Sequence, residues 1–222
     1  MSSAVACSLA VDQAQVSALW LEPAGATASF VFAHGAGAGM AHSSMTAVAE
    51  GLAARRIATL RYQFPFMEKK SGRPDPPALC HATVRAAVEA AARRAPGRKL
   101  IAGGKSFGGR MTSQAQALQP LQSVRGLAFL GFPLHAAGKP GGARAAHLSE
   151  INIPMLFLQG EKDKLAEPEL LQPIIDGLGR KAMLVWAPQA DHSFHVPKRS
   201  GRSDAEVLAS LLDSFAEWAE GI

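Results

Sequence analysis

Cysteine is nearly missing from this chain, and the other absences narrow its reading before any motif is considered. Only Cys7 and Cys80 occur. Neither sits in a CxxC or CxxH spacing, so nothing points to zinc or thiol redox chemistry, and both are expected as free thiols. No stretch approaches 18 uncharged apolar residues, which removes a membrane span. The first residues, "MSSAVACSLAVDQAQ", carry no basic group ahead of their apolar part, and Asp12 interrupts it. A signal peptide is therefore not expected, and the chain reads as soluble and cytoplasmic. Acidic residues are outnumbered, giving a formal charge of +5, but the basic residues are scattered from Arg55 to Arg202. Without a clustered stripe, no nucleic-acid partner is expected. The tightest group, Lys69, Lys70 and Arg73, reads as a solvated loop, the other reading being a contact with an anionic substrate. No metal-ligand cluster and no nucleotide-binding fingerprint appears, so neither metal nor cofactor is expected.

What is present is apolar and periodic. With 222 residues and 48% hydrophobic content, the chain can bury one substantial core, and its length suits a single α/β domain over residues 1–222. Residues 5–11 and 16–21 suggest an opening hairpin. The run "ASFVFAHGAGAG" gives a buried strand through Ala33 and then a glycine-rich loop. Ser43 or Ser44 can cap a helix running to about Arg55, and "IATLRYQF" is the next strand. A Pro- and Lys-bearing loop covers 65–77. Residues 78–94 are helical, "KLIAGG" is a strand, and a helix from Ser106 ends near Pro120. "VRGLAFLGFP", "PMLFLQG" and "AMLVWAP" are further strands. Helices fit at 167–178 and 203–220, the latter placing Val207, Leu208, Leu211, Leu212, Phe215 and Trp218 on one face. Alternation of this kind predicts a mostly parallel sheet flanked by helices.

The decisive stretch is "KLIAGGKSFGGRM". A phosphate-binding P-loop requires G-x-x-x-x-G-K-[ST], and counting back from Gly104 its first glycine falls on Lys99, so that reading fails. The same residues fit G-x-S-x-G as Gly104-Lys105-Ser106-Phe107-Gly108, directly after a strand and opening a helix, the context of a nucleophile elbow. A plain glycine turn is the alternative. Serine is a poor nucleophile until histidine takes its proton and a carboxylate orients that histidine. Asp163 follows one later strand and His192 follows the next, which is the hydrolase order. Competing candidates are Glu161 and Asp191 for the acid and His195 for the base. His81, in a predicted helix, reads as a surface or satisfied core histidine. The oxyanion donors are expected to be the backbone N–H groups of Phe107 and Ala36, with Gly37 as alternative to Ala36. His34 is expected to hold its loop rather than to react.

The segments "HGAGAGM", "FPFMEKKSGRPDPP", "GGKSFGGRM", "LGFPLHAAGKP", "LQGEKD" and "DHSF" span most of the chain. Together they resemble the small, lidless α/β-hydrolase-fold family related to dienelactone hydrolases, in particular the group that includes a testis-expressed protein and a subunit of a chromatin acetyltransferase complex. The resemblance implies an α/β-hydrolase fold without a cap domain and a Ser106–Asp163–His192 triad. Dienelactone hydrolases are expected to carry a cysteine nucleophile, whereas this elbow has serine. The expected function is hydrolysis of a small-molecule carboxylic ester or thioester. A non-catalytic scaffold on the same fold, or acyl transfer by the same residues, is the alternative. Phe64, Phe66 and Met67 are expected to line the acyl pocket. The sequence leaves the oligomeric state open.

Overall fold

The computed structural model describes residues 3–222. Eight strands form one sheet: β1 (Val5–Val11), β2 (Ala14–Leu21), β3 (Ala28–Ala33), β4 (Ile57–Tyr62), β5 (Lys99–Lys105), β6 (Val124–Leu130), β7 (Met155–Gly160) and β8 (Ala182–Ala187). Their order is β1-β2-β4-β3-β5-β6-β7-β8. The β1/β2 and β2/β4 pairs are antiparallel, and the pairs from β4 through β8 are parallel.

Among the described residues, six α-helices flank the sheet, the first five between strands and the last after β8: α1 (Ser43–Ala53), α2 (Pro65–Glu68), α3 (Pro77–Arg94), α4 (Phe107–Leu118), α5 (Pro168–Leu178) and α6 (Asp204–Gly221). Parallel strands need crossovers that cover both faces, so their residues are predominantly apolar. Every residue of β3, β4 and β7 is buried. On one face Phe30, Phe32, Ile101 and Leu156 meet Leu52 of α1 and Phe215 of α6. On the other, Val31, Leu60 and Phe129 meet Val84 of α3, Met111 of α4 and Leu171 of α5.

Two helix starts show how local chemistry sets the boundaries. At α6, the Ser203 hydroxyl accepts from the Glu206 N–H while the Glu206 carboxylate accepts from the Ser203 N–H, a reciprocal capping box. At α1 the cap is neither expected serine. His42 takes that place, its Nδ1 accepting from the Ser44 N–H at 3.3 Å, which leaves Ser43 and Ser44 inside the helix.

This topology fixes where a site can form. From β3 the chain crosses to β4 on one side and then returns to β5 on the other, so the loops after β3 and β5 diverge and leave a crevice at the carboxyl ends of the strands. Between Leu130 and Met155 the only regular piece is the 3₁₀ segment Ala143–Glu150. Among the described residues no cap domain covers the crevice, and its walls are loops and the start of α4.

Phe215 is fully buried, 5.0 Å edge-on from Phe30, and anchors α6 to the sheet. Phe215→Ala is expected to lower stability by about 3–5 kcal/mol in urea unfolding, from lost burial plus the cavity left behind. A loss under about 1 kcal/mol would contradict this packing.

Candidate functional site

The turn after β5 is tight. Ser106 has φ 50° and ψ −114°, a conformation that non-glycine residues adopt only when their surroundings enforce it. A Cβ on Gly104 would lie 2.5 Å from the Ala33 carbonyl oxygen, and one on Gly108 would lie 2.5 Å from that of His34. Glycine at both positions lets α4 start against the end of β3. The Ser106 N–H donates to the Leu130 carbonyl at 3.1 Å, tying the turn to β6.

The Ser106 hydroxyl so presented meets the loop after β8. His192 Nε2 lies 2.9 Å from Ser106 Oγ, and His192 Nδ1 lies 2.6 Å from Asp163 Oδ2. An ionised carboxylate only accepts, so Nδ1 carries the proton and Nε2 is free to accept from the hydroxyl. Asp163 is buried, and its oxygens have further donors: the Leu165 N–H at 2.8 Å and Gln159 Nε2 at 2.6 Å. Gln159 Oε1 in turn accepts from the Phe132 N–H at 2.8 Å. The carboxylate is held from three sides, as a buried charge must be.

Ala36 and Phe107 line the same cavity as Ser106, a hollow of about 350 Å³. Among the described residues, neither backbone N–H has a protein acceptor. His34, fully buried, holds the loop after β3: its Nδ1–H donates to the Gly35 carbonyl at 2.7 Å and its Nε2 accepts from the Phe64 N–H at 3.0 Å. Burial pushes its pKa down, which keeps the ring neutral for both bonds.

Other sequence candidates fall elsewhere. Glu161 accepts from the Gln189 N–H, and Asp191 organises its loop by accepting from the Ser193 and His195 N–H groups. His195 is exposed and pairs with Asp204. The placement of Phe64, Phe66 and Met67 differs from the expected acyl pocket. Phe64 and Phe66 are buried in an aromatic cluster with His34 and Phe107, Met67 packs on that core, and none of the three lines the cavity. Apolar side chains following β4 gain more by closing the core beneath the loop than by facing a wet crevice. The walls are instead Pro74, Pro77, Met111, Pro133 and Leu165, with Arg110 and Arg144. Lys69, Lys70 and Arg73 do not reach it.

Gln159 and the bond that Lys105 makes are missed in the sequence, although Lys105 is expected from it to point away from the hydroxyl. Gln159, inside a strand, had no motif to mark it. Lys105, the variable residue of the elbow, points away from the hydroxyl and donates from Nζ to the carbonyl oxygen of His192. Its ammonium also lies 4.6 Å from the centroid of the Phe194 ring, a cation–π contact. Burial lowers the Lys105 pKa to about 8, against the pull of Asp163 and Asp191.

That depression has a defined sign. The folded pKa lies below the unfolded value, so the charged lysine opposes folding below about pH 8, and the penalty is relieved as pH rises toward 10.5. The His192 loop behaves oppositely, because it loses a charge-assisted hydrogen bond when the ammonium deprotonates. Amide exchange over residues 191–195 is expected to accelerate above about pH 8, beyond its ordinary base catalysis. In Lys105→Met the loop should be fast at every pH. Equal protection in the two proteins would contradict the tether.

Comparison with known proteins bears on the family and the fold. Residues 26–220 match the family model described as an alpha/beta hydrolase domain. Among solved structures, a dienelactone hydrolase from Anabaena variabilis superposes with a TM-score of 0.78 at 22% identity, covering 98% of this chain and 96% of that one. A serine hydrolase without a lid from Xanthomonas campestris gives 0.75 at 20% identity, with the same coverages of 98% and 96%. An alpha-beta serine hydrolase homologue from Coxiella burnetii gives 0.77 at 20% identity, covering 96% and 98%. At such identities the structures speak for the fold, while the family match spans most of the sequence. The chain belongs to the alpha/beta hydrolase domain family.

Proposed function

We propose that the protein is a serine hydrolase that cleaves a carboxylic ester or thioester through an acyl-enzyme. The observation that carries this reading is the continuous chain Ser106 Oγ–His192–Asp163, at 2.9 and 2.6 Å, beside two backbone N–H groups without acceptors. The Ser106 proton passes to His192 Nε2 as Oγ bonds to the substrate carbonyl carbon. The carbonyl oxygen, now an oxyanion, takes the N–H groups of Ala36 and Phe107. Asp163 stabilises the imidazolium. Collapse breaks the bond to the alcohol or thiol, which leaves with the proton from His192. Water then repeats the sequence on the acyl-enzyme, releasing the acid and restoring Ser106.

Ser106→Ala is expected to reduce turnover of p-nitrophenyl esters by about three orders of magnitude or more without loss of fold, because such residues act as a unit. His192→Ala should match it, and Asp163→Asn should retain somewhat more activity. Activity in Ser106→Ala above about a tenth of wild type would overturn the assignment.

The cavity of about 350 Å³ is walled by loops and by the start of α4. That volume is near the lower end of ligand pockets, about 300–1,000 Å³, and each methylene it buries contributes about 0.8 kcal/mol. Short acyl chains are therefore expected to be preferred. A steady rise of kcat/KM beyond eight carbons would contradict the small pocket.

A further inference from the structure

Two guanidinium groups share the cavity with Ser106. Arg110 stands one helical turn after the serine on α4, its N–H bonded to the Ser106 carbonyl at 3.1 Å. Its Cζ lies 5.5 Å from the centre of the Phe107 ring. Arg144 enters from the 3₁₀ segment and donates from Nη1 to the His135 carbonyl at 2.8 Å. Among the described residues, neither forms an ion pair. Arg110 Nε is buried without any hydrogen-bond partner.

Half-buried cations without an ion-pair partner are unfavourable, and a second like charge adds to the penalty. The Arg110 pKa is lowered first by burial and then by the charge of Arg144, so the two groups are close enough to repel. Their surroundings supply little relief. Asp75 is the one carboxylate on the wall, and its Oδ2 is committed to the Phe66 N–H at 2.6 Å. His147, near Arg110, is held down to about 4, chiefly by burial and then by Arg110 and His81, so it is neutral and adds no charge of either sign. The cavity thus sets two guanidinium groups against one carboxylate, which leaves an excess of positive charge next to the nucleophile that neutral acyl chains would not satisfy.

Resting on the hydrolase reading above, we propose that Arg110 and Arg144 form an anion subsite, and that the substrate is an ester or thioester bearing a carboxylate or phosphate. Guanidinium forks recognise the oxygens of both anions in the same way. The arginine on α4 stacks on Phe107, whose N–H is a proposed oxyanion donor, so the anion binds within one side chain's reach of the scissile carbonyl. The loop lysines, outside the cavity, have no part in this.

The test uses two matched pairs of esters, each an anionic compound and its neutral isostere, with the carboxylate on the acyl part in one pair and on the leaving group in the other. Wild type is expected to prefer the anionic member of at least one pair by tenfold or more in kcat/KM. That preference should fall at least tenfold in Arg110→Gln and in Arg144→Gln, recover partly in Arg144→Lys, and invert in Arg144→Glu. Thermal unfolding of each variant identifies any that fail to fold, and the remaining arginine's variants then carry the test. Competitive inhibition by glutarate and by inorganic phosphate, weakened in the same variants, tells which anion the subsite takes. Preference for the neutral member in both pairs, or a preference that survives every folded arginine variant, would overturn the subsite. Failure of the hydrolase reading looks different: no ester of either pair is turned over, and a fluorophosphonate leaves Ser106 unlabelled.

Discussion

The backbone at Ser106 lies at φ 50° and ψ −114°, and the turn closes only because Gly104 and Gly108 place no Cβ against the carbonyls of Ala33 and His34. Much of the site depends on that approach. It brings β5, α4 and the loop after β3 together at the switch point of the sheet, so the Ser106 hydroxyl, the Phe107 N–H and the Ala36 N–H border one cavity. The strain is supported by parallel neighbours on both sides of β5 and by the Ser106 N–H bond to Leu130. A side chain at either glycine would force the serine out of reach of His192 or separate α4 from the sheet.

Opposite this rigid turn stands a loop that needs holding. His192 is carried on residues 188–203, a segment without α-helix or strand. It is tied by its ring to Asp163, by its carbonyl to Lys105, and through Asp191 to its own loop. Asp163 is itself fixed by Gln159 and the Leu165 N–H. Lys105 of β5 holds the backbone of His192, and Gln159 of β7 holds the Asp163 that bonds its ring, which is how a loop residue acquires the positional accuracy of the strands around it.

Fold and central site were legible in the sequence for identifiable reasons. Fully buried parallel strands read as continuous apolar runs, and the elbow, the later aspartate and the later histidine all follow strand ends, where polar residues in glycine-bearing loops stand out. The cap of α1 was not legible, because a histidine rarely announces itself as an N-cap. The wall of the cavity was not legible either: Phe64 and Phe66 are apolar in a loop whether they face a substrate or the core, and only packing against His34 and Phe107 decides. Arg110 and Arg144 carry no motif, being separated by 34 positions and brought together only by the chain's return after β6. The narrower resemblance to testis-expressed and chromatin-complex proteins rests on the sequence segments alone, whereas the family match covers residues 26–220.

Geometry at Ser106 is the account's central claim, and direct observation of the covalent intermediate tests it most closely. Wild-type protein mixed with a p-nitrophenyl ester, quenched in acid within milliseconds and digested for mass spectrometry, should carry the acyl mass on the peptide containing Ser106. The release of p-nitrophenol should show a burst of about one equivalent wherever deacylation is the slower step. An acyl group found on Lys105 or on either cysteine, or turnover with no acylated serine under any quench time, would contradict the account.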